Sequence, residues 1–176
     1  MTRQIETASY RVRGDLVKPR PSTSVGRAAV LRRRRQIRGG LAPGSLFVIA
    51  GDQNSDPLDG DSIPGAIQQL LDNPLVNSHN PPSSLGAVEQ DALQGGINRT
   101  HRSNPAFDTA DFADTAPGNL RVDYVLPRRG LRIVHSGVFW PLMSDPLFRL
   151  VGVFPFPTSD HRLVWVDLQL GHEGWH

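Results

Sequence analysis

From Gly39 onward the chain alternates short apolar runs with long, turn-rich polar stretches. Leu46-Phe47-Val48-Ile49-Ala50 is an unbroken, partly β-branched apolar run after Pro43-Gly44, the pattern expected of a strand buried on both faces. Gly51-Asp52-Gln53-Asn54 ends it. Ser62 then offers an N-cap, Pro64 suits a first turn, and Ile67, Leu70 and Leu71 form one apolar stripe of a helix that Asn73-Pro74 terminates. A strand followed by a helix predicts an α/β architecture. Residues 73–119 are rich in Pro, Asn and Gly and show little periodicity. They are too long for an idle connection in a compact domain, so they are expected to shape a substrate mouth. Three strands close the chain, over 121–126, 131–138 and 163–168, with Pro127 to Gly130 predicted to turn a hairpin between the first two. Residues 171–176 read as a frayed end.

The 176 residues suit one domain. Seventeen Gly and fifteen Pro imply ordered loops around few regular elements, and such loops commonly carry function. There is no cysteine, which excludes disulfides and thiolate metal sites. No apolar run is long enough to span a bilayer and no signal-peptide core is visible, so the chain reads as soluble, its compartment and oligomeric state open.

The charge is unevenly placed. Residues 1–40 hold ten Arg and one Lys against Glu6 and Asp15, whereas residues 41–176 hold eight Arg against fifteen acids. With Arg32-Arg33-Arg34-Arg35 repelling itself in any compact form, residues 1–38 are expected to be disordered or foreign to the native protein. A basic arm for nucleic acid and an ordinary solvated tail are the competing explanations.

Three short stretches carry candidate chemistry. Asp52 and Asn54 stand two apart just past a strand, and an extended backbone there would send both side chains the same way. A carboxylate can orient or deprotonate water, and a neutral amide can hydrogen-bond a phosphate oxygen without repelling it. Gly51 allows close approach or an unusual dihedral. Asp123 sits inside Val122-Asp123-Tyr124-Val125-Leu126, where a buried carboxylate needs a cation or a strong donor. His161, in Ser159-Asp160-His161, is one candidate partner and Arg121 the other. Asp160 is placed to bind a hard divalent cation or to orient water.

In this order, the three stretches resemble the second-half motifs of the endonuclease/exonuclease/phosphatase superfamily, the DNase I-like group, over about residues 40–170. The resemblance implies an α/β fold of the α+β type, a DNase I-like β-sandwich flanked by helices, with only its C-terminal half present in residues 39–171 and a tail at 172–176. It implies in-line hydrolysis of a phosphoester with Mg2+, or with Mn2+ or Ca2+, on a nucleic acid or a small phosphorylated molecule. Asp52 would activate the attacking water, Asn54 and His161 would hold the phosphate, Asp123 would support the catalytic His161, and Asp160 would bind metal. The family's first half supplies an Asn, a metal-binding Gln-Glu pair and a further His. Residues 1–40 contain no His, and Gln4-Ile5-Glu6 lacks that adjacency. A truncated hydrolase is therefore expected, with an inactive remnant or a binding module as the alternative. The acidic body argues against strong affinity for duplex DNA.

Other features rank lower. Asp56, Asp59 and Asp61 resemble a calcium loop without its closing Glu. Asp108, Asp111 and Asp114 are expected in solvated turns. Asn98-Arg99-Thr100 fits a glycosylation acceptor. His79, His101 and His135 show no partner in the sequence, and Trp140 and Trp165 suit packing better than stacking on a substrate.

Overall fold

The computed structural model describes residues 44–170. The Arg-rich segment 1–38 and the tail 172–176 lie outside the described residues. Within them the chain is an α+β protein with small antiparallel sheets. Strand β1 (Val48–Asp52) pairs with β4 (Asp123–Pro127), β2 (Ala110–Asp111) with β3 (Asn119–Leu120), and β5 (Arg132–Phe139) with β6 (Leu163–Gln169). Helix α1 (Gln68–Leu71) and helix α2 (Leu85–Gln94) lie between β1 and β2.

Apolar burial is divided among three clusters. Ile67, Val76, Tyr124 and Leu126 pack with Phe47, Ile49, Leu70 and Leu71, which joins α1 to the β1–β4 ladder. Ala87, Val138, Trp140 and Val151 join α2 to β5. Ala110, Leu120 and Val122 join β2 to β3 and the entry of β4. Each fully buried aliphatic side chain such as Ile67 contributes about 1.5–3 kcal/mol relative to exposure.

Four expectations need correction. The first apolar run is not buried on both faces: Val48 is 40% exposed, and only Phe47 and Ile49 turn onto the cluster. β1 has one ladder partner among the described residues, so its side chains alternate between core and solvent as in a half-covered strand. The first helix begins later than Ser62 and is a single short turn-and-a-bit, with Ile67 at its N-cap; Ser62 instead receives a hydrogen bond from Ser55 Oγ at 3.1 Å. The stripe of Ile67, Leu70 and Leu71 does face the core.

The stretch 73–119 holds regular structure. Ser84 caps α2 by accepting from the Ala87 N–H at 3.2 Å, and the buried face is Gly86, Ala87 and Gln90, too small and too polar to show as an apolar period. Gly86 is required there, since an added Cβ would stand 2.0 Å from the Trp140 carbonyl oxygen. Finally, β4 and β5 do not form a hairpin. Pro127 O accepts from Asn77 N, Arg128 N donates to Phe47 O and Arg129 N to Leu75 O, so the backbone that would start a hairpin is engaged elsewhere, and β5 pairs with β6.

One local arrangement positions the site. Thr109 N donates to Leu120 O on one side, while Arg162 N donates to Thr109 O and Asp111 N to Asp160 O on the other. Residues 109–111 thus lie between β3 and residues 160–162, with Ala110 bridging His161 in antiparallel register.

Candidate active site

The site begins at the last pair of the β1–β4 ladder, where Asp52 and Asp123 are register partners. Gly51 has φ +128 and nothing near its absent side chain, so it supplies an unusual dihedral and not a close approach. Gln53 N extends the ladder by donating to Val122 O at 2.8 Å. The chain then turns: Asn54 is left-handed at φ 48, and its N–H donates to Asp52 Oδ1 at 2.6 Å. The segment is therefore not extended through Asn54, which corrects the expectation that Asp52 and Asn54 project alike. An Asx turn made by the Asp52 side chain replaces it, and Asn54 takes the left-handed conformation that Asn tolerates better than most residues.

Asp123 and His161 meet. His161 Nδ1 lies 2.8 Å from Asp123 Oδ2, with side-chain exposures of 31% and 16%, so the imidazole reaches solvent while the carboxylate sits behind it. Thr109 Oγ1 donates to the same Oδ2 at 3.1 Å. Burial raises the Asp123 carboxyl above its ordinary range; the hydrogen bond and charge of His161 oppose this, Asp52 adds to it, and Thr109 opposes it. The rival partner Arg121 is occupied elsewhere, its guanidinium 4.6 Å from the Tyr124 ring centroid. The ligand atoms of Asp52, Asp123 and His161 lie within 4.8 Å of one another. Asp160 stands outside that group; it is half-buried, and Ser159 Oγ lies 3.4 Å from its Oδ1.

His161 is held by what surrounds it. Its N–H donates to Ser159 Oγ at 3.0 Å, and the Phe112 ring meets the imidazole edge-on at 5.5 Å. The following residue is an anchor: Arg162 Nη2 contacts Asp111 Oδ2 at 3.0 Å with both side chains buried, its Nη1 donates to Ser159 O at 2.7 Å, and the guanidinium stacks on Trp140 and Phe156. Burial raises Asp111 and lowers Arg162, outweighing their mutual attraction.

The expectation of solvated turns at Asp108 and Asp111 is thereby overturned, while Asp114 is exposed. The signal for Asp111 was present: Arg162 opens an apolar strand, and a buried guanidinium requires a carboxylate. Asp56 is a structural cap, accepting from Leu58 N and Asp59 N through Oδ1 and from Arg121 N through Oδ2. Asp59 accepts from the backbone of Arg102 and Ser103. His101 Nε2 lies 2.9 Å from Pro117 O, and exposed His135 stands 3.6 Å from Asp167. Trp140 packs in the core, and Trp165 is 40% exposed.

The family model for the Endonuclease/Exonuclease/phosphatase family matches residues 3–161. The chain belongs to that family, a superfamily of phosphoester hydrolases. The match begins well before residue 40, where the resemblance of the motifs starts, and so includes the Arg-rich segment. No curated protein and no solved structure matches the chain. No helix among the described residues is long and apolar enough to cross a membrane.

Proposed function

We propose that the chain hydrolyses phosphoesters with the help of a divalent cation, and that the described strands correspond to the C-terminal half of a DNase I-like β-sandwich flanked by helices. The observation that carries the reading is the convergence of the Asp123–His161 pair with Asp52 across the β1–β4 ladder. Asp123 accepts from Nδ1 and fixes the tautomer, which leaves Nε2 as the ring nitrogen for the substrate. A proton on Nε2 then steadies the negative charge that grows on phosphate as the ester bond breaks. Asp52 orients and deprotonates the attacking water, and the amide of Asn54 binds a phosphate oxygen.

The donor set fits a hard cation. Asp52 offers an exposed carboxylate beside the pair, and Mg2+ typically takes one or two carboxylates and completes its shell with water and substrate oxygens. Asp123 Oδ2 is engaged by His161 and Thr109 and Asp52 Oδ1 by the Asn54 N–H; the carboxylate oxygens left over on the two, with Asp160 as the further candidate, would hold Mg2+, Mn2+ or Ca2+. When bound, the cation supplies positive charge to the phosphate.

The test is hydrolysis of bis-p-nitrophenyl phosphate and p-nitrophenyl phosphate by the full chain after chelator treatment, with and without added Mg2+. Turnover restored by Mg2+ supports the proposal, and the preferred ester separates diesterase from monoesterase. No turnover with Mg2+, Mn2+ or Ca2+ on either ester would overturn it in favour of a binding module.

A further inference from the structure

We infer that Thr109 is a positioning residue that fixes the Asp123–His161 pair, an assignment resting on the reading of that pair as the reaction centre. Thr109 is 1% exposed, and its hydroxyl is saturated. Oγ1 accepts from Val122 N at 3.0 Å and from Asp123 N at 2.9 Å. Two donors take both lone pairs, so the single hydroxyl proton is left for Asp123 Oδ2, 3.1 Å away. The oxygen that receives it is the one facing His161 Nδ1. The hydroxyl therefore sets the rotation of the carboxylate, and the carboxylate in turn sets the imidazole.

The same residue holds the other partner through its backbone, since Thr109 O accepts from Arg162 N at 2.7 Å and the next residue, Ala110, bridges His161. One short segment thus gauges the separation of two groups that stand 38 residues apart in the chain. The β-branched side chain suits this task, because its χ1 is restricted. Serine would preserve the three hydrogen bonds with more freedom; valine would preserve shape while leaving two buried N–H groups and the carboxylate without their partner.

The experiment compares the full-length parent, Thr109→Val and Thr109→Ser by proton NMR and by hydrolysis of bis-p-nitrophenyl phosphate with Mg2+. The parent is expected to show a slowly exchanging Thr109 hydroxyl proton with a cross-peak to the Asp123 amide, and a low-field His161 Nδ1–H signal. Thr109→Val is expected to lose the low-field signal and to lower kcat about 10- to 100-fold, as removal of an orienting hydrogen-bond partner commonly does, with KM held within about twofold. Thr109→Ser is expected to recover both.

A Thr109→Val protein with the parent's Nδ1–H signal and kcat would overturn the inference. Should the parent show no turnover, the hydrolase reading falls, while the Nδ1–H comparison still decides the role of Thr109. If Thr109→Val does not fold, the parent's hydroxyl cross-peak decides it, and its absence counts against the inference.

Discussion

Asp123 Oδ2 and His161 Nδ1 stand 2.8 Å apart although 38 residues separate them in the chain. The contact depends on two strand entries meeting: β4 brings the carboxylate to the end of the β1–β4 ladder, and residues 109–111 bring His161 alongside it. Replacing the carboxylate by an amide separates charge from shape. Asp123→Asn is expected to lower kcat by about 10²- to 10⁴-fold, the range over which acid–base groups and their orienting partners act, while leaving the circular dichroism spectrum unchanged. Parental kcat in Asp123→Asn would show that the imidazole needs no carboxylate behind it.

The Asp111–Arg162 pair governs stability more than chemistry. Both groups are buried, and burial pushes each toward its neutral form, so the intact pair contributes little net energy while either half alone is costly. Asp111→Ala is expected to destabilise the fold by about 3–5 kcal/mol in urea titration, and a loss below about 1 kcal/mol, the scale of an exposed pair, would contradict this.

Asp108 gives the fold a pH dependence that runs against ordinary acid denaturation. It is 1% exposed, and burial, with Asp56, Asp91 and Asp59 adding repulsion, pushes its carboxyl up to about 8. The unfolded group titrates near its ordinary value of about 3.9. Between the two values the folded chain binds more protons than the unfolded one, so this group's contribution to stability is present below pH about 4 and is lost as the pH rises through about 8. Asp108→Asn is expected to flatten that decline and to raise the unfolding midpoint at pH 8 relative to the parent. Parallel pH profiles for parent and variant would show that Asp108 ionises normally.

Much of the site was legible because its residues punctuate recognisable strands. Asp52 ends an apolar run, Asp123 interrupts one and His161 precedes one, and the strands over 121–126, 131–138 and 163–168 differ from those observed by at most two residues at their boundaries. What escaped was pairing. Nothing local tells that β4 joins β1 instead of β5, because the deciding hydrogen bonds come from Phe47, Leu75 and Asn77. Thr109 and Asp111 escaped for a related reason: Thr109 precedes β2 and Asp111 ends it, a two-residue strand has no period of its own, and the burial comes from neighbours on both sides. Helix α2 stayed hidden because its contact face is Gly86, Ala87 and Gln90, chosen for closeness to Trp140 and not for hydrophobicity.

The most direct test of the hydrolase reading is the rate of bis-p-nitrophenyl phosphate and p-nitrophenyl phosphate hydrolysis with Mg2+ by the parent and by His161→Ala, measured beside their unfolding midpoints. A His161→Ala protein is expected to fold like the parent, because the 31%-exposed imidazole belongs to none of the three apolar clusters, and to lose at least about 10²-fold in kcat on the ester the parent cleaves. Equal rates in a folded His161→Ala protein would contradict it and remove the Asp123–His161 pair from the reaction.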